Sequence, residues 1–81
     1  MWFVYIIECL DGTYYTGSTN DIEKRFKSHI DGRGAKYTKS HKPLKLIYQE
    51  EFKAKSAAMK REWEIKKLSK NQKIILITPI T

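Results

Sequence analysis

The chain has 81 residues, 41% hydrophobic and 31% charged, and its 16 Lys+Arg against nine Asp+Glu leave a formal charge of +7. That length suits a single domain over residues 1–81 with one modest core. The charge favours a polyanionic partner, most simply nucleic acid, over an excess that serves only solubility.

The single cysteine, Cys9, excludes an internal disulfide or a cysteine-rich zinc site and fits a reducing cytoplasm. The opening run MWFVYII is short, without a basic leader or cleavage site, so it reads as a strand and not as a signal peptide or membrane span. Residues 2–9 are β-branched and aromatic on both alternating faces, the pattern of a central strand covered on both sides.

Leu10-Asp11-Gly12 carries a turn, and residues 13–18 form the partner strand. A two-residue Asp-Gly turn would send Tyr5 and Tyr15 to opposite faces. A three-residue loop with Gly12 left-handed pairs Cys9 with Thr13, sets Tyr5 opposite Gly17 and Tyr15 opposite Ile7, and brings both phenols to one face. The second register is expected, with Gly17 leaving a hollow beside Tyr5.

Asn20 or Thr19 is expected to cap a helix reaching about residue 31, with Asp21 and Glu23 in its first turn. Ile22, Phe26 and Ile30 make its apolar stripe, bordered by Arg25 and His29, while Lys24 and Lys27 point away. Residues 32–45, GRGAKYTKSHKPLK, read as a loop punctuated by Gly32, Gly34 and Pro43. Its cations Arg33, Lys36, Lys39, Lys42 and Lys45 surround Tyr37 and His41, as in a phosphate-tracking segment, although a solvated loop explains any single lysine equally well.

A third strand is expected over 45–52, a helix from Ser56 to about 68, and a short apolar element, IILITPI, at the end. On the helical wheel Ala58, Met59, Ile65 and Leu68 face inward and Glu62 falls among them, whereas Glu64 points out. A carboxylate so placed needs a cation, backbone donors or a metal ion. An intrahelical pair with Lys66, four residues on, is the simplest partner. Ala57 and Ala58, one turn earlier, leave room beside it.

Phe3-Val4-Tyr5 and Tyr15-Thr16-Gly17 resemble the two signature tripeptides of the GIY-YIG nuclease superfamily, and the likeness continues through Arg25, His29 and Glu62. In particular the chain is similar to the small stand-alone bacterial members. The resemblance implies an α+β fold, a three-stranded antiparallel sheet flanked by helices, carrying a divalent-metal-dependent phosphodiesterase site. It implies that Tyr5 activates water, Tyr15 positions water and phosphate, Arg25 stabilises charge on the scissile phosphate, and His29 assists nearby. It also implies that Glu62 is the lone ligand of one Mg²⁺ or Mn²⁺. Val4 and Thr16 stand where isoleucine is usual, on the other face from the chemistry, and Asn71 is the one available counterpart of a late asparagine. Gly17, Arg33, Lys36, Tyr37, Lys39 and Lys42 are the expected nucleic-acid contacts.

The expected activity is a cytoplasmic, metal-dependent endonuclease acting on DNA, structured or single-stranded nucleic acid included, with low sequence specificity and no membrane partner. The alternatives are a non-catalytic nucleic-acid-binding module on the same fold and a basic RNA- or ribosome-associated protein. Because a phenol ionises only near pH 10, activity as a Tyr5 base should be alkaline or slow, unless Arg25 and a metal lower its pKa.

Overall fold

The computed structural model describes residues 1–78. Strands β1 (Trp2–Cys9), β2 (Tyr14–Thr19) and β3 (Pro43–Phe52) form one antiparallel sheet in the order β2-β1-β3. Helices α1 (Ile22–Ile30), α2 (Lys36–Ser40), α3 (Lys55–Lys66) and α4 (Lys70–Ile77) complete the fold. The expected α+β architecture is therefore the observed one.

β1 is apolar on both alternating faces because it is the central strand. Val4 and Ile6 turn to one face and are sealed by Ala58 and Ile65 of α3, with Tyr14, Tyr48 and Phe52 packed around them. Tyr5, Ile7 and Cys9 turn to the other and meet Tyr15, Leu46 and the α1 residues Ile22 and Phe26. The sheet thus separates two small cores.

The hairpin adopts the three-residue connection. Gly12 has φ 84°, its amide donates to the Cys9 carbonyl, and the Cys9 amide donates to Thr13. A left-handed residue at this point is what glycine permits without Cβ strain. Tyr5 consequently pairs with Gly17 and Ile7 with Tyr15, placing both phenols on the α1 face.

Several local expectations are corrected. The cap of α1 is Asp21, whose carboxylate accepts from the Lys24 amide, while Thr19 instead accepts from the Asp21 amide. Ile30 is exposed and His29 takes the buried position. An apolar stripe at i, i+4, i+7 keeps to one side of a helix, whereas a strict four-residue repeat drifts about 40° per step.

Segment 32–45 is not a continuous loop: α2 occupies its middle and β3 begins at Pro43. Met59 lies outside the inward face of α3, which begins after Ala54 without a side-chain cap. The final apolar run extends α4, opened by a Ser69–Gln72 capping box, as far as Ile77. The rest of that expected element, residues 79 and 80, lies outside the described residues.

Candidate active site

The α1 face of the hairpin carries a hydrogen-bonded chain of side chains. Tyr5 Oη lies 2.9 Å from His29 Nε2. The opposite ring nitrogen, Nδ1, is 2.7 Å from Thr38 Oγ1, and that hydroxyl donates to the Ala35 carbonyl at 2.9 Å. Tyr5, His29 and Thr38 are all buried. Tyr15 completes the cluster, its ring centroid 6.3 Å from that of Tyr5 and 5.1 Å from that of His29.

Gly17 explains how the Tyr5 phenol fits. A Cβ there would come within 2.5 Å of Tyr5 Oη and 2.7 Å of its Cζ. The space expected beside Tyr5 is real, but the Tyr5 ring itself fills it. Gly34 has the same relation to His29, because a Cβ would fall on Nδ1. Main chain therefore closes on the imidazole where any side chain would displace it.

Arg25, one turn before His29 on α1, is half-buried beside the two phenols. The neighbouring Tyr5 oxygen holds the guanidinium above its ordinary pKa, so it stays charged. A shallow hollow bounded by Thr19, Asn20, Asp21, Lys24, Arg25 and Ser28 opens next to it, its one carboxylate, Asp21, already committed to capping α1. Such a fixed fork of donors at an open edge suits a phosphate.

Tyr5 does not become more acidic. Desolvation by burial outweighs the neighbouring guanidinium and pushes its pKa up to about 12, with Tyr15 and Glu62 adding to the rise. The lowering expected from Arg25 is present but smaller. Burial, reinforced by the positive charge of Arg25, pushes His29 down to about 4 and keeps it neutral at pH 7.

Glu62 reaches the site from the other side of the sheet. It sits on α3, and its Oε1 accepts from Ser18 Oγ at 2.5 Å at the β2 edge. Ser18 directly follows Gly17, against which Tyr5 Oη rests, and Glu62 is close enough for its charge to raise the Tyr5 pKa. Oε2 pairs with Lys66 at 2.7 Å, the intrahelical partner expected from spacing. The carboxylate thus sits at the β2 edge adjoining the phenols and does not share their face.

No group of three or more His, Cys, Asp or Glu residues suited to a metal occurs among the described residues. Glu62 alone fits a magnesium-type ion, which commonly takes one or two carboxylates and fills the rest of its shell with water and substrate phosphate. Its side chain is 20% exposed and its Lys66 partner is half exposed, so the ion pair can yield to a cation.

Of the expected nucleic-acid contacts, Tyr37 comes to the site rim. It stacks on Tyr15 at 5.9 Å and on His41 at 4.1 Å, and His41 bonds Asp11 of the hairpin turn. Gly17 underlies Tyr5. Lys36, Lys39 and Lys42 are exposed around this ladder, and Arg33 is exposed and paired with Asp31. Asn71 is exposed on α4.

Three residues that the structure places against the cluster carry no signal in the sequence: Thr38, Gly34 and Ser18. A threonine in a basic loop and a serine in a strand have no telling spacing, because their partners are distant in the chain. Gly34 reads there only as punctuation.

The model of the GIY-YIG catalytic domain matches residues 1–74. A UPF0213 protein of Staphylococcus saprophyticus is 53% identical over 76 residues, covering 94% of this chain and 93% of that protein. A UPF0213 protein of Halobacterium salinarum is 53% identical over 73 residues, covering 90% and 95% respectively. The solution NMR structure of a UPF0213 protein from Bacillus halodurans aligns with a TM-score of 0.60 at 45% identity, covering 95% of this chain and 83% of that one.

Proposed function

The chain belongs to the GIY-YIG family, and from that premise we propose that it is a divalent-metal-dependent endonuclease hydrolysing phosphodiester bonds in DNA with low sequence specificity. The observation that carries this reading is the meeting of Tyr5, Tyr15, Arg25 and His29 on one face, with Glu62 at the adjoining edge.

Hydrolysis needs a deprotonated water and neutralisation of the charge that develops on the phosphate. A phenol with a pKa near 12 is ionised to about one part in 10⁵ at pH 7, a population cost of about 7 kcal/mol. Tyr5 is better used as a conduit. As water attacks phosphorus, its proton passes to Tyr5 Oη while the phenolic proton passes to His29 Nε2. Arg25 grips the phosphate oxygens, and the anionic phosphate offsets the effect of Arg25 on the imidazole, strengthening it as an acceptor. The leaving oxygen takes a proton from solvent water, giving a phosphomonoester and a free hydroxyl, and His29 returns its own proton to solvent. Tyr15 holds water and phosphate in place.

Glu62 is the residue that would hold Mg²⁺ or Mn²⁺, and the ion, when bound, would supply positive charge near the leaving oxygen. The exposed cations of segment 32–45 (Arg33, Lys36, Lys39 and Lys42), together with Tyr37, supply the sequence-independent contacts to the nucleic-acid backbone. The work of such a protein lies in the cytoplasm; among the described residues no helix is long and apolar enough to cross a membrane.

A non-catalytic nucleic-acid-binding module on the same fold is the second reading. It is favoured by the engagement of both Glu62 oxygens by Ser18 and Lys66. Supercoiled plasmid incubated with Mg²⁺ or Mn²⁺ separates the two. Nicking that disappears with EDTA and with Glu62→Ala supports the nuclease. A gel shift of intact plasmid supports the module, and nicking that survives Glu62→Ala removes the site assignment.

A further inference from the structure

A catalytic imidazole works only if the correct nitrogen carries its proton, and the surroundings of His29 bear on that choice at both ends. On the Nδ1 side stands Thr38 Oγ1, 2.7 Å away. A hydroxyl has one proton, and this one is directed to the Ala35 carbonyl, which can only accept. What remains toward Nδ1 is an oxygen lone pair, which calls for Nδ1–H. On the Nε2 side, 2.9 Å away, stands Tyr5 Oη, with the charge of Arg25, a group that can only donate, near it. The phenolic proton therefore needs an acceptor, and His29 Nε2 is its hydrogen-bonded partner among the described residues. The other tautomer would set two lone pairs against each other at Thr38 and leave the phenolic proton of Tyr5 without its acceptor.

We propose that Thr38 is a positioning residue that selects the Nδ1–H tautomer of His29 and so presents the Nε2 lone pair to the Tyr5 hydroxyl. The residue suits the task. It is buried, and its hydroxyl is fixed by a turn of its own helix. That helix is itself fastened to the site, by Tyr37 stacked on Tyr15 ahead of Thr38 and by His41 bonded to Asp11 behind it. Gly34 lets the main chain close on the same edge of the ring. The short helix α2 is in this sense the back wall of the proton path. The effect on turnover rests on the phosphodiesterase reading; the tautomer itself does not.

The test uses both properties separately. The chain has two histidines, so long-range ¹H–¹⁵N spectra of labelled protein at pH 7, without DNA or metal, report the His29 tautomer directly once a His41→Ala variant assigns the signals. Wild type should show a protonated Nδ1 and an unprotonated Nε2. Thr38→Val, close to isosteric, should shift the ring toward Nε2–H and lower plasmid-nicking turnover roughly 10²-fold, with DNA binding unchanged, and Thr38→Ser should restore both. An Nε2–H ring in wild type overturns the proposal, and this reading needs no variant to fold. A Thr38→Val ring that keeps the wild-type tautomer also overturns it. If wild type cleaves nothing while the tautomer still follows position 38, the positioning role stands and the nuclease reading fails.

Discussion

Burying a histidine that must stay neutral makes the fold sensitive to mild acid, and His29 fixes the size of that effect. Its pKa lies at about 4 in the folded protein, against 6.5 for an unperturbed imidazole. The sign follows from linkage. Between those values the unfolded chain binds the extra proton, so stability is complete above pH 6.5 and falls as pH drops toward 4. At about 1.4 kcal/mol per unit, the full loss is about 3 kcal/mol, and the loss by pH 5 is about 2 kcal/mol. For a domain of a few kcal/mol total stability that is a large share.

The perturbation is His29→Gln, which keeps a polar side chain and cannot titrate. Urea unfolding of wild type and variant at pH 7 and pH 5 isolates the term, since Asp11, Glu50 and every other group cancel in the difference. Wild type should lose about 2 kcal/mol more than His29→Gln over that interval. Equal losses would refute the claim that a buried, neutral imidazole is held there.

Other outcomes follow from the same geometry. Thr16 is buried facing α3, and its Oγ1 finds no hydrogen-bond partner among the described residues. Thr16→Val should therefore raise stability by about 1 kcal/mol, seen as a melting temperature higher by roughly 4–8 °C. Gly17→Ala would set a Cβ 2.5 Å from Tyr5 Oη, so overpacking should lower stability by about 1–3 kcal/mol. Displacement of that hydroxyl should also lower nicking by roughly 10²-fold. The rate of the chemical step should be level from pH 6 to 9 and fall below about pH 5 as His29 is protonated. A tenfold rise per pH unit across that range would instead mean that free Tyr5 phenolate is required.

The hairpin is legible because its information is local. Asp11-Gly12 fixes the loop, and alternation then carries Tyr5 and Tyr15 to one face. Arg25 and His29 follow from helical spacing, but the depth of His29 does not, since it is set by Tyr5 and Thr38, distant in the chain. Helix α2 is illegible for the same reason: five residues without a side-chain cap give neither periodicity nor a start signal, and contacts across the site hold them. The helical wheel correctly turns Glu62 inward, yet only the packed sheet reveals that it arrives at an edge through Ser18. The direction of the Tyr5 shift also needs the structure, because burial and the nearby guanidinium act in opposite senses.

Single-turnover cleavage of labelled duplex DNA in Mg²⁺ by wild type and Tyr5→Phe puts the proton path to its sharpest test, because the substitution removes one oxygen and keeps the ring that fills the space over Gly17. Wild type should cleave, and Tyr5→Phe should bind the duplex equally well while its cleavage rate drops by about 10³-fold. A phenylalanine variant that cuts at the wild-type rate would contradict a proton path through the Tyr5 hydroxyl.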